Sequence, residues 1–186
     1  MRIISGTHRG LTLASVGKGD AGAHLRPTAD RVRESLFNVL QSGRFGDPVT
    51  DTRVLDLFAG TGALGLEALS RGASHVTFVD NGRVAKKLIR ENIALTRSQS
   101  DTLLLSCDAC RLPVNGNGPY NLVFLDPPYG QGLGETALNL AVESGLIAKG
   151  ALIVWEESSP RDAPPGFDLH DHRKYGDTFI TILEKA

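Results

Sequence analysis

Arg53 to Phe58 is a run of strand formers that leads directly into Ala59-Gly60-Thr61-Gly62 and then into Ala63 to Arg71, whose apolar residues recur at helical spacing. A strand that becomes a helix within four residues needs backbone outside the ordinary regions, and glycine supplies it. A second strand follows at His75 to Asp80. Strand, glycine turn, helix and strand in this order bury themselves well only in a parallel sheet with helices packed on it. The alternation then continues: Arg83 to Thr96 reads as a helix, Thr102 to Ser106 and Leu122 to Asp126 as strands, Thr136 to Ser144 as a helix and Ala151 to Trp155 as a fifth strand. Beyond the proline-rich break at 160–165, Asp168 to Arg173 and Thr178 to Leu183 read as a pair of strands. The expected fold is α/β and Rossmann-like, with a mainly parallel sheet and an antiparallel hairpin at one edge.

Residues 1–50 precede this unit and have a different character, so the chain divides into an N-terminal extension and a domain over 51–186. Arg2 to Leu13 reads as two short strands around a glycine-containing turn, and 14–25 as a loop. Pro27-Thr28 opens a helix with Thr28 as N-cap and Val32, Leu36, Val39 and Leu40 as its apolar face; Arg31 and Arg33 are expected off that face. The helix is expected to end near Ser42-Gly43, with a linker at Gly46-Asp47-Pro48. Residues 1–46 carry seven Lys/Arg against three acids, a net charge of +4 on a chain whose total is −1. A basic extension on an acidic body suits a polyanionic partner. No run of 18 apolar residues exists and the start lacks an apolar leader, so a cytoplasmic protein without a membrane span is expected. Cys107 and Cys110 form a single C-x-x-C with no second pair at zinc spacing, so no metal is expected.

In a sheet of this kind ligands sit at the carboxyl ends of the strands. Four of those ends carry an aspartate: Asp56, Asp80, Asp108 and Asp126. Gly60-Thr61-Gly62-Ala63-Leu64-Gly65 also matches G-x-G-x-x-G, and Asp80 lies about 20 residues further on, where a dinucleotide fold keeps its ribose-binding acid. That pattern admits a nicotinamide oxidoreductase or a nucleotide-binding module. Charge argues otherwise, because Asp56 lies close to where a pyrophosphate would sit and no basic residue stands between Asp56 and Gly65. A cofactor with a cationic end and an adenosine, S-adenosylmethionine, fits better. Asp56 favours the cationic end, directly or through water; Phe58, Ala59, Gly60, Thr61 and Gly62 form the close backbone wall; Asp80 takes the ribose hydroxyls; Asp108, with Ala109, takes the adenine amine.

Asp126-Pro127-Pro128-Tyr129 ends the fourth strand. Two successive prolines supply no backbone N–H and fix the exit path, which leaves a carboxylate and bare carbonyls beside an aromatic ring. Such a corner holds a planar group bearing an N–H donor. Accepting hydrogen bonds from an exocyclic amine would aim its nitrogen lone pair and stabilise the positive charge that grows on it, while Tyr129 stacks on a flipped-out base. The chemistry reads as methyl transfer to such an amine, yielding S-adenosylhomocysteine.

Asp56-Leu57-Phe58-Ala59-Gly60-Thr61-Gly62 together with Asp126-Pro127-Pro128-Tyr129 resembles the class I methyltransferases that act on exocyclic amines. More narrowly, Arg26-Pro27-Thr28, Arg33 to Asn38, Ala63 to Ala73 and Arg173 to Thr178 resemble the bacterial 16S ribosomal RNA guanine-N2 methyltransferases. The likeness covers nearly the whole chain. It implies a seven-stranded methyltransferase sheet and methylation of one guanine N2 in 16S rRNA, within an assembled or assembling small ribosomal particle, by a monomer. It also implies RNA contacts from Arg26, Thr28, Arg31, Arg33, Arg173 and Tyr175. Asp80 departs from the family pattern, which more often has Glu there. A DNA adenine-N6 or cytosine-N4 methyltransferase shares the chemistry, but no separate target-recognition domain is visible.

Overall fold

A computed structural model describes residues 1–15, 29–112 and 118–186. Its elements, in order, are α1 (Asp30–Leu40), β1 (Arg53–Leu57), α2 (Ala63–Ser70), β2 (His75–Val79), α3 (Arg83–Thr96), β3 (Thr102–Leu105), β4 (Tyr120–Leu125), α4 (Leu133–Glu143), β5 (Ile147–Glu157), β6 (Phe167–Tyr175) and β7 (Thr178–Lys185). The seven strands form one sheet in the order β3-β2-β1-β4-β5-β7-β6. β3, β2, β1, β4 and β5 run parallel to one another, and β7 is antiparallel to both β5 and β6. The parallel body and the antiparallel edge are those expected.

Alternation along the strands sorts side chains between two packed layers. Val54, Val76, Phe78, Leu122, Phe124, Val154, Ile180 and Ile182 face a layer that includes Leu36, Phe37 and Leu40 of α1, Leu64 and Leu66 of α2 and Ile89 and Ile93 of α3. Leu55, Leu57, Val79, Val123, Leu125, Ile153 and Trp155 face the opposite side, where Ala137, Leu138 and Ala141 of α4 pack. Asp56 shares parity with Val54, Asp126 with Phe124, and Glu156 with Val154. All three acids therefore stand on the α1–α3 face, at the carboxyl ends of adjacent strands.

The N-terminal extension shares this core through Ile3, Leu13, Leu36, Phe37 and Leu40. The expected two-stranded hairpin is a turn closed by one bridge, Arg2 to Thr12, with Ile3 N–H donating to Leu11 O and Gly10 N–H to Ile3 O. Backbone N–H groups of Ile4 and Ser5 donate to Glu67 Oε2 and Oε1 at 2.8 and 3.1 Å, so a fully buried carboxylate of α2 receives the segment. α1 is capped by Ala29 without a side-chain bond and ends at Leu40, two residues short of expectation; Arg26, Pro27 and Thr28 lie outside the described residues.

Arg33 corrects the reading of α1. Expected on the outer face as an RNA contact, it is fully buried on the side of Leu36, Phe37 and Leu40. Its Nη2 donates to Asp30 Oδ1 at 2.9 Å and to the Arg2 carbonyl, and its Nε lies 3.8 Å from Glu67. A buried guanidinium is tolerable only beside such partners. Arg33 therefore pins the extension to α1 and α2 and cannot reach a phosphate at the surface.

β5 is longer than the sequence suggests at both ends. Among the described residues no helix is long and apolar enough to cross a membrane.

Candidate active site at the carboxyl edge of the sheet

The glycine loop is built around three left-handed residues: Phe58 at φ 59°, Gly60 at 57° and Gly62 at 77°. Two are glycines, for which that region is free; Phe58 holds it at a cost of about 1–2 kcal/mol. Gly65 meets a different demand. A Cβ there would come within 2.5 Å of the Phe78 ring and 2.7 Å of Val76, so only glycine lets α2 lie this close to β2.

Acids at the strand ends hold the loop in place. Asp56, 2 % exposed, accepts the Gly65 N–H at 3.0 Å through Oδ2. Asp80 accepts the Gly60 N–H at 2.9 Å on Oδ2 and the Gly82 N–H at 2.7 Å on Oδ1. Both oxygens expected to face a ribose thus already carry one backbone bond each; each retains a further lone pair. Asp108 caps the 3₁₀ turn Ala109–Arg111 by accepting the Cys110 N–H at 2.9 Å. Cys107 and Cys110 are both free, and burial raises both thiols.

Across β4 the arrangement changes. The Asp126 N–H still reaches Leu57 O at 3.4 Å, which keeps the residue against β1, while its carboxylate accepts no hydrogen bond from any described residue. Burial, then Glu156, Asp56 and Glu157, push its pKa well above the usual carboxylate range. Burial likewise raises Asp56 to about 8 despite the Gly65 bond. The same edge thus gathers several carboxylates in a setting that resists their charge, as a cationic ligand or a donor-rich one would require.

Tyr129 is 36 % exposed, and its ring is held by its hydroxyl, which donates to Glu156 Oε1 at 2.8 Å and lies 3.2 Å from Thr178 Oγ1. Burial raises the hydroxyl's pKa, so it stays a donor. Glu157 steadies the following turn: its carboxylate accepts the N–H groups of Gly130 and Ser158. Neither glutamate was foreseen, because the fifth strand was expected to stop at Trp155, and both lie in the two residues by which it runs on. Asn92 of α3 was also missed. Buried, it donates to Thr61 O at 2.9 Å and Ala14 O at 3.1 Å and accepts the Ala14 N–H at 2.7 Å, tying the N-terminal extension to the glycine loop.

Two of the remaining residues singled out in the sequence converge. Arg31 and Arg173 line one open groove of about 400 Å³ between α1 and β6, with Glu34, Ser35, Asn38 and Ser42. Tyr175 adjoins it, its hydroxyl 2.9 Å from Ser35 Oγ. Arg173 is steadied by Asp171 at 2.9 Å. By register Arg173 pairs with Ile180 and Ile180 with Glu156, so the groove runs toward the strand-end acids without containing them.

The protein is 35 % identical to ribosomal RNA small subunit methyltransferase D of Escherichia coli K12, a match over 100 % of this chain and 90 % of that relative. The Haemophilus influenzae protein of the same name is 34 % identical over 95 % of this chain and 89 % of its own length. Among solved structures, Escherichia coli yhhF superposes with a TM-score of 0.82 at 35 % identity, covering 100 % of this chain and 97 % of its own. The family model described as conserved hypothetical protein 95 matches residues 1–184. With full-length relatives and the family model in agreement, this chain belongs to the conserved hypothetical protein 95 family, which it shares with the ribosomal RNA small subunit methyltransferases D.

Proposed function

We propose that this protein transfers a methyl group from S-adenosylmethionine to the exocyclic N2 amine of a guanine in the 16S rRNA of the small ribosomal subunit. It does so as a monomer in the cytoplasm, on an assembled or assembling particle. The observation that carries this reading is the Asp126 carboxylate. It is held at a strand end among other acids, and no described residue donates to it. Ribosomal RNA as the substrate class rests on the names of the full-length relatives.

The fit to a cationic cofactor follows from charge. Asp56 and Asp80 are both raised by burial, and a sulfonium and an ammonium nearby would offset that cost. S-adenosylmethionine supplies a methyl on an already good leaving group. The chain therefore needs neither a covalent nucleophile nor a strong base. Phe58, Ala59, Gly60, Thr61 and Gly62 would line the cofactor, Asp80 would hold its ribose, and Asp108 with Ala109 its adenine. Asp126 and the Pro127 carbonyl accept the amine N–H groups, which aims the nitrogen lone pair and stabilises its growing charge. Pro128 keeps the exit path rigid, and Tyr129, held through its hydroxyl by Glu156, offers its ring to the base. Arg31, Arg173 and Tyr175 line or adjoin a groove suited to phosphate contacts, which position without reading sequence. Arg26 and Thr28 are assigned to the same role on the family resemblance.

Incubation with methyl-labelled S-adenosylmethionine tests this on small subunits that lack the mark, with naked duplex DNA in parallel. Label should enter ribosomal RNA; labelled DNA beside unlabelled RNA would contradict the substrate assignment.

A further inference from the structure

An acceptor corner selects an amine, and adenine and cytosine carry exocyclic amines too. What distinguishes guanine is the neighbour of its amine on the same edge. Beside N2 guanine presents N1–H, a second donor, whereas the ring nitrogens beside the amines of adenine and cytosine are acceptors. A site that accepts guanine and rejects the others needs a second acceptor next to the first.

Glu156 meets that requirement. It is 8 % exposed and stands one strand over from Asp126, on the same face of the sheet. The register that pairs Leu125 with Trp155 sets Asp126 beside Glu156 on the adjacent strand, and the Glu156 charge is one cause of the raised Asp126 pKa. Its Oε1 takes the Tyr129 hydroxyl at 2.8 Å, which sets the acid at the hydroxyl end of the ring assigned to the base. The bond from Tyr129 does not exhaust a carboxylate, whose two oxygens offer about four lone-pair sites. Glu157 does not compete for the role. It alternates to the opposite face, and its oxygens serve Gly130 and Ser158.

We propose that Glu156 is the base-specifying residue of this site, accepting guanine N1–H while Asp126 and the Pro127 carbonyl hold the N2 amine. The proposal rests on the guanine-amine reading above. A carboxylate in this position repels a ring-nitrogen lone pair, so adenine and cytosine are excluded by the same group that welcomes guanine.

2-Aminopurine keeps the amine at position 2 but has a bare lone pair at N1, and it isolates this contact. Small subunits are reconstituted from ligated RNA carrying guanine or 2-aminopurine at the methylated position, and kcat/KM is measured on each. The wild type should prefer guanine by about 100-fold or more, as expected when a site's acceptor meets no donor. Glu156→Gln keeps an oxygen for Tyr129 and adds an amide donor for the bare nitrogen, so the preference should shrink at least tenfold. Tyr129→Phe removes the hydroxyl alone and should slow both substrates while keeping their ratio. If Glu156→Gln slows both substrates in step, as Tyr129→Phe does, Glu156 only supports the ring and the proposal is overturned. A wild type that methylates both equally overturns it as well. If the wild type leaves the guanine particle unmethylated, the guanine-amine reading fails first and takes this proposal with it.

Discussion

The glycine-loop half of the sheet's carboxyl edge and the half formed by β4 and β5 both carry acids, and they use them in opposite ways. Asp56 and Asp80 accept from the backbone of Gly65, Gly60 and Gly82, so the first half is occupied in shaping its own loop. Asp126 accepts from no described residue, although its neighbours Glu156 and Glu157 do. A half-buried carboxylate with no protein donor is costly unless water or a ligand supplies one. On the proposed function the difference separates two tasks: one half would be a preformed seat for a cofactor, and the other an acceptor kept for the substrate.

The largest expected effect falls on the second half. Asp126→Ala should lower turnover by about 10²–10³-fold, the scale for losing one preorganised transition-state contact, while S-adenosylhomocysteine binds nearly as before in calorimetry. Near-normal turnover would erase the distinction between the halves. Asp80→Ala should act the other way. It frees the Gly60 and Gly82 N–H groups and raises the cofactor KM by about 10- to 100-fold, with much of the rate returning at saturation. A loss in kcat alone would mean that the loop acid serves the substrate side.

A pH series sharpens the comparison within the first half. Burial lifts Asp56 from 3.8 to about 8. A folded value above the unfolded one contributes stability that is complete below the unfolded pKa and is lost as pH rises toward the folded one. The difference in melting temperature between wild type and Asp56→Asn should therefore move against the wild type by several degrees between about pH 4 and 8. S-adenosylmethionine should offset more of that loss at pH 8 than at pH 6, because its cationic end favours the ionised acid. A difference that stays flat with pH would remove the electrostatic argument for a cationic cofactor. The smallest effect is expected in the groove, where Arg31→Ala should weaken particle binding without changing kcat and reduce the salt slope by about 1.

How much could be read in the sequence follows the same division. The glycine loop was legible because strand, positive-φ turn and helix must occur in a fixed order, and Gly60, Gly62 and Asp80 sit where that order needs them. Asp126 to Tyr129 was legible because consecutive prolines remove donors wherever they occur. Arg33 was misread: a charged residue counts as exposed in any periodicity argument, and its partners Glu67 and the Arg2 carbonyl lie about 30 residues away on either side. Glu156 and Glu157 escaped because two acids after an apolar strand look like its solvent-exposed end. Only pairing with β7, down to Glu157 opposite Phe179, shows that the strand continues and buries them. Asn92 left no signal in the pattern, since its three bonds join segments far apart in the chain.

The central claim is that the acceptor at Asp126 receives the N2 amine of a guanine in small-subunit ribosomal RNA. Mass mapping of nucleosides from that RNA tests it most directly, using unmethylated small subunits treated with S-adenosylmethionine and either wild type or Asp126→Ala. The account predicts one N2-methylguanosine with the wild type and none with the variant. A methyl group on another base, on another atom of guanine, or installed equally well by the variant would contradict it.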